Sequence, residues 1–248
     1  MSQQLRLVIL ALAYFTRLPM PQQHNVTADE WAKAARYLPL TGWVVGGWAA
    51  LVLYVGLQYL PAGPAIVLSM LSSILLTGAL HEDGLADSAD GLGGGWSKEQ
   101  ALTIMKDSRI GSYGAIALVI ALLLKFNLLS AMEPEYLPLI LIAAHAVSRL
   151  AALMVMSSQR YAREEGKAQA LASPPSTAGL LTGLVFGLLP MLLLPVQAWL
   201  ALLPVLLVWV WFSLKLKRRL GGYTGDCLGA MQQLTELAFY LGIVIISI

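Results

Sequence analysis

Seven apolar stretches dominate this chain of 248 residues, at 38–60, 64–80, 112–132, 137–157, 178–194, 199–214 and 233–248. A helix that crosses the hydrocarbon of a bilayer needs about 20 mostly apolar residues, and each stretch is near that length. The polar residues left over are too few to coat a water-soluble surface. Hydrophobic residues make up 58% of the chain and charged residues 12%, mean hydropathy is +0.70, and a soluble domain carries roughly 25% charged residues. The sequence therefore predicts an all-α fold: a polytopic integral membrane helix bundle of about seven transmembrane helices, forming one membrane-embedded domain over 1–248. A shorter apolar run at 5–15 is expected to form an interfacial or re-entrant helix. No small-residue cleavage site follows it, and Arg17 to Pro21 turns the chain instead. Thr27 and Glu30 match a capping box that opens a short amphipathic helix through Arg36.

Charge orients the spans. Lys33, Arg36, Lys98, Lys106, Arg109, Arg160, Arg163, Lys167, Lys215, Lys217, Arg218 and Arg219 fall in alternate loops, while 61–64, 133–136 and 195–198 hold no Lys or Arg. Basic loops remain on the cytoplasmic side, so 81–109 and the 221–229 turn are expected to face the cytoplasm from a bacterial inner membrane. A net charge of +2, with no basic, aromatic-interleaved stretch, argues against a nucleic-acid partner. The single cysteine, Cys227, excludes a disulfide framework or a cysteine zinc cluster within one chain. Trp43, Trp48, Trp199, Trp209 and Trp211 read as anchors at the lipid interface.

The most informative polar segment runs from His81 to Gly91. Of the 14 acidic residues in the chain, Glu82, Asp83, Asp87 and Asp90 lie within nine positions. On a helix, Asp83, Asp87 and Asp90 project within about 60° of one another. Three like charges on one stripe call for a cation, and short hard-oxygen ligands suit Mg²⁺ or Mn²⁺. Residues 81–111 are thus the candidate catalytic loop. Within it, four glycines in 91–95 form a turned backbone able to approach a phosphate. Lys106 and Arg109, with Asp107 between them, are candidate phosphate ligands. His145 and Arg149 stand one turn apart inside an apolar span, where charge normally faces a polar cavity. The 221–230 segment sets Asp226 in a turn punctuated by Gly222 and Gly225, at a helix start that also favours phosphate. Thr224 there is a candidate N-cap as well as a candidate substrate ligand. A metal, two or three cations and an apolar bundle behind them suit phosphoryl transfer at a membrane face.

Several motifs then recur in a familiar order: Phe15-Thr16-Arg17-Leu18-Pro19, Leu38-Pro39-Leu40-Thr41-Gly42, the 81–91 acidic segment, Met105 to Gly111, and Gly222 to Ala230. With these the chain resembles the cobalamin synthase family, the adenosylcobinamide-GDP ribazoletransferases, over nearly its whole length. The resemblance implies that GDP-activated adenosylcobinamide is joined to α-ribazole or its 5′-phosphate, with release of GMP. For that reaction the expected mechanism is attack by the ribazole 5′ oxygen, with Mg²⁺ on Asp83, Asp87 and Asp90, Glu82 being an optional further ligand, and Lys106 and Arg109 on the diphosphate oxygens. Asp87 or Asp226 would serve as base toward a hydroxyl, whereas an attacking phosphate would need none. The expected partners are the two substrates and the lipid bilayer, with a homo-oligomer or other cobalamin-pathway enzymes as further candidates. The segment 87–91 is also similar to the opening of the CDP-alcohol phosphotransferase signature, but the remainder of that signature is absent. A transporter with an acidic site is the competing class. Against it, the acids cluster in one loop and the two halves of the chain do not resemble each other.

Overall fold

The structure is a computed structural model that describes residues 2–163 and 173–247; Lys167 and Ile248 lie outside the described residues. Among the described residues, eleven α-helices follow one another: α1 Gln3–Phe15, α2 Ala28–Ala34, α3 Leu38–Tyr59, α4 Ala62–Thr77, α5 Leu80–Gly94, α6 Lys98–Ile104, α7 Ser112–Ser130, α8 Leu137–Ser158, α9 Thr177–Leu188, α10 Leu202–Leu220 and α11 Gly225–Ser247. The all-α bundle expected from hydropathy is the fold observed. Among the described residues, five helical stretches are long and apolar enough to cross a membrane, and α4 reaches that length only if counted together with α5 across a sharp bend. The stretch expected at 178–194 is broken, because Pro190 turns the chain into a short 3₁₀ segment after α9. At the other end of the chain, α11 starts at Gly225 rather than near 233, since Thr224 caps it by accepting from the Cys227 amide at 3.3 Å.

The central helix is α8, whose inner residues from Ile140 to Met156 are almost all buried. It packs against α3 on one side and α11 on another, while α5 lies between α11 and α7. The Thr27–Glu30 capping box forms as predicted, with the Glu30 amide donating to Thr27 Oγ1 at 3.2 Å and the Thr27 amide to Glu30 Oε2 at 3.0 Å. On its inner face α1 buries Leu7, Leu10 and Ala11 against Ala34 and Tyr37.

The feature that creates the site is the 86° bend between α4 and α5. Gly78 (φ 65°) and Ala79 (φ 58°) are consecutive left-handed residues, and the Ala79 amide closes the end of α4 on the Ile74 carbonyl at 2.9 Å. The Arg17 amide donates to the Leu76 carbonyl at 2.7 Å, and the Arg17 side chain lies across Gly78, where a Cβ would come within 2.8 Å of its Cζ. The Phe15–Pro19 motif thus braces the bend. Beyond it, α5 turns away from the direction of α4, and we place it outside the membrane-crossing segments.

Candidate active site

A cavity of about 540 Å³ opens where α5, the 105–108 loop, the chain after α8 and the start of α11 meet. Asp83 and Asp87, one turn apart on α5, line it, and Asp226 from the first turn of α11 joins them. The helices cross at Gly84 and Gly229. A Cβ on Gly84 would sit 2.7 Å from the Asp226 carbonyl oxygen and 3.1 Å from Gly229 Cα, so this approach needs bare backbone. Cations face the same space: Lys106 from the loop, Arg149 from α8 and Arg163. Asp107 and Gly225 also line the cavity.

Arg163 reaches Asp226 at 2.7 Å because the chain after α8 pairs with the segment before α11. The Tyr223 amide donates to the Arg160 carbonyl at 3.0 Å, and the Ala162 amide to the Tyr223 carbonyl at 2.8 Å. Gly222 lets the two backbones meet, and Thr224 caps α11; neither lines the cavity. Burial, followed by the charges of Asp83 and Asp226, pushes the Asp87 carboxyl up to about 7. The Arg163 charge offsets this only in part.

The other residues singled out from the sequence lie elsewhere. Asp90 accepts from the Gly111 and Gly114 amides at 2.8 Å each, holding the N-terminus of α7. Its azimuth on α5 matches that of Asp83, but seven residues raise it about 10 Å along the axis, past the cavity. Glu82 points to the side and accepts from Gln233 Nε2 at 3.0 Å. Arg109 is 87% exposed and closes on its own neighbour Asp107 at 2.7 Å, whose carboxyl it holds below the usual range. The 91–95 glycines do not form a phosphate loop. They complete α5 and let it meet α6: a Cβ on Gly95 would lie 2.6 Å from the Ala101 amide nitrogen. Among the described residues, no three Asp, Glu, His or Cys side chains are drawn together closely enough to hold a metal by themselves.

The sequence profile of the family described as cobalamin-5-phosphate synthase matches residues 7–244. An adenosylcobinamide-GDP ribazoletransferase of Shewanella pealeana is 45% identical over 253 residues, covering 100% of this chain and 98% of that one. One from Ralstonia pickettii is 46% identical over 237 residues, covering 94% and 93%. The chain belongs to the cobalamin-5-phosphate synthase family. It is an enzyme, a transferase of cobalamin biosynthesis, and the transporter class is set aside. No solved structure matches the chain.

Behind the cavity, this family member carries a buried polar cluster that sequence reading missed. Lys125 of α7 and Glu236 of α11 pair at 2.6 Å, with 5% and 1% of their side chains exposed. Glu236 also accepts from Tyr240 at 3.0 Å and from Gln232 at 2.5 Å, and Gln232 lines the cavity. The available signal was opposite charge in two apolar spans, together with Gln232, Glu236 and Tyr240 recurring every four residues on one helix face. For Arg163 there was none, because its partner lies 63 residues away.

Proposed function

We propose that the protein joins adenosylcobinamide-GDP to α-ribazole or α-ribazole 5′-phosphate and releases GMP, at a site facing the cytoplasm of a bacterial inner membrane. One observation carries this reading: carboxylates from α5 and α11 and cations from three further segments converge on a single cavity. A diphosphate needs both kinds of group. The cations answer its oxygens, and the carboxylates hold a divalent ion and accept a proton. The basic 217–219 run at the end of α10, a few residues before α11 begins, and the 105–108 loop that lines the cavity support the cytoplasmic side.

The family description names a product that keeps a 5-phosphate. The nucleophile is therefore a ribose hydroxyl other than the 5′ position, and it needs a base with either substrate; this revises the attack by the 5′ oxygen. The hydroxyl oxygen bonds to the cobinamide-side phosphorus, the bond from that phosphorus to the bridging oxygen breaks, and GMP departs with that oxygen. Asp226 takes the hydroxyl proton. Its Oδ2 is engaged by Arg163 at 2.7 Å and Thr224 Oγ1 at 3.3 Å, which orients the carboxylate toward the cavity it lines. Lys106 and Arg149 bind non-bridging oxygens.

The donor set fits Mg²⁺, with Mn²⁺ as the alternative. Asp83 and Asp87 offer two hard oxygen donors one turn apart, and Mg²⁺ is usually held by one or two carboxylates plus substrate phosphates. The raised Asp87 carboxyl marks uncompensated charge there. A divalent cation at this pair supplies positive charge against the diphosphate. Asp90 and Glu82, engaged elsewhere, leave the set.

The test is GMP release by purified protein given both substrates, with Mg²⁺ or with chelator. Wild type is expected to require the metal. Asp83→Asn and Asp87→Asn raise the Mg²⁺ concentration needed, while Asp226→Asn lowers kcat by about 10²–10⁴ with unchanged metal dependence. Wild type that releases no GMP overturns the reading.

A further inference from the structure

Arg149 is 1% exposed, yet the only acceptors that its Nη1 meets among the described residues are neutral: His145 Nδ1 at 3.0 Å and the His145 carbonyl at 3.0 Å. Its Nε is buried without a hydrogen-bond partner among the described residues. No carboxylate there pairs with it, and it lines the cavity. An arginine on a cavity wall with no ion-pair contact of its own among the described residues can turn to an anion that enters. His145 Nδ1 lies between the two, 3.0 Å from Arg149 Nη1 and 3.5 Å from Glu236 Oε2.

Gln232 stands beside Arg149 on the cavity wall and is fixed in every direction. Its Nε2 donates to Glu236 Oε2 at 2.5 Å and to Ser148 Oγ at 3.0 Å, while its Oε1 accepts from Gln233 Nε2 at 3.0 Å. One carboxylate, Glu236, therefore stands behind both wall residues. It holds Gln232 directly, and it approaches the same His145 Nδ1 that Arg149 meets. Lys125, paired to it at 2.6 Å, absorbs its charge. Without Lys125, more of the Glu236 charge would be answered by Arg149.

We propose that Glu236, neutralised by Lys125, is a positioning residue that holds Arg149 and Gln232 as the oxyanion-binding floor of the cavity. This rests on the reading that the cavity takes a diphosphate. The alternative role is mere cohesion of the bundle. Buried ion pairs are weak sources of stability, and apolar replacements of similar volume are often neutral or stabilising, so function and cohesion separate cleanly.

The experiment compares wild type with Glu236→Gln, Glu236→Asp and the double variant Lys125→Met/Glu236→Met in detergent. It measures Tm, the KM for adenosylcobinamide-GDP against kcat, and the affinity for inorganic pyrophosphate. In the double variant Tm is expected at or above wild type, with KM raised about tenfold to a hundredfold, kcat within about threefold, and pyrophosphate affinity weakened in parallel. Glu236→Asp should recover part of the KM that Glu236→Gln loses. A folded double variant with wild-type KM and pyrophosphate affinity overturns the proposal and leaves the reaction standing. Wild type that binds no pyrophosphate also overturns it. Wild type that releases no GMP but loses pyrophosphate binding on substitution overturns the reaction and keeps the floor. Should the double variant fail to fold, Glu236→Gln decides on the same KM and affinity readings.

Discussion

Asp90 separates two accounts of the acidic helix, and Asp90→Asn tests them. The carboxylate, 8% exposed, takes the Gly111 and Gly114 amides at 2.8 Å each. Both belong to the start of α7, where amides have no partner within the helix. A hydrogen bond to a charged group contributes about 1.5–3 kcal/mol, and a carboxylate at a helix N-terminus adds roughly 0.3–1 kcal/mol. Asparagine keeps one oxygen and turns an NH₂ toward the other amide, so one bond is lost and the survivor loses its charge. The cost is about 2–4 kcal/mol. For a chain of this size that lowers Tm by roughly 5–15 °C. Thermal unfolding followed through the seven tryptophans, alongside a Mg²⁺ titration of GMP release, reads both quantities. The structure requires a lower Tm with the half-maximal Mg²⁺ concentration within about twofold of wild type. An unchanged Tm with that concentration raised tenfold would refute the reasoning and return Asp90 to the metal.

Gly84→Ala should separate α5 from α11, since the new Cβ would lie 2.7 Å from the Asp226 carbonyl oxygen. About 1–3 kcal/mol of stability is lost and GMP release falls at least about tenfold; activity equal to wild type would show that the crossing is slack. Asp87 titrates near 7 when folded, above the roughly 3.9 of an unfolded aspartate. Its contribution is thus fully present below that lower value and is lost as pH rises toward 7. Metal-free protein should accordingly melt at lower temperature at pH 7.5 than at 5.5, and Asp87→Asn should remove most of that difference; an equal slope in the variant assigns it elsewhere. Ala79→Gly places glycine at φ 58° and should stabilise by about 0.5–1 kcal/mol, read as a small rise in Tm; a fall would mean that the Ala79 methyl packs usefully.

What the sequence made legible was set by local physics. Hydropathy located the helices at 38–59 and 137–158 to within a residue or two, and the Thr27–Glu30 box formed because both partners lie within one turn. The acidic stripe was read correctly as a direction but not as a destination. Spacing fixes the azimuth of Asp83, Asp87 and Asp90, while what stands opposite each depends on where α7 and α11 arrive. The 91–95 glycines misled for a related reason: small residues serve close helix packing as readily as phosphate approach, and Ala101 decides between them. Arg163 with Asp226 and Lys125 with Glu236 join residues far apart in the chain, and a single sequence can show a charge in an apolar span without showing which partner it meets.

The carboxylates on α5 share one explanation. A helix at a soluble surface turns its charges outward, whereas α5 is packed between α7 and α11 and meets protein on most sides. Its carboxylates therefore face groups or space inside the molecule. Asp83 and Asp87 face the cavity, Asp90 the amides of α7, and Glu82 the Gln233 of α11. The same α7 that Asp90 holds at one end delivers Lys125 to Glu236 about 20 Å further along its axis. Carboxylates at one wall of the cavity and Arg149 at its floor are thus tied to a common rod. Two parts of the proposed site drawn from distant sequence can keep a fixed separation without touching, because a single hydrogen-bonded helix spans the distance between their supports.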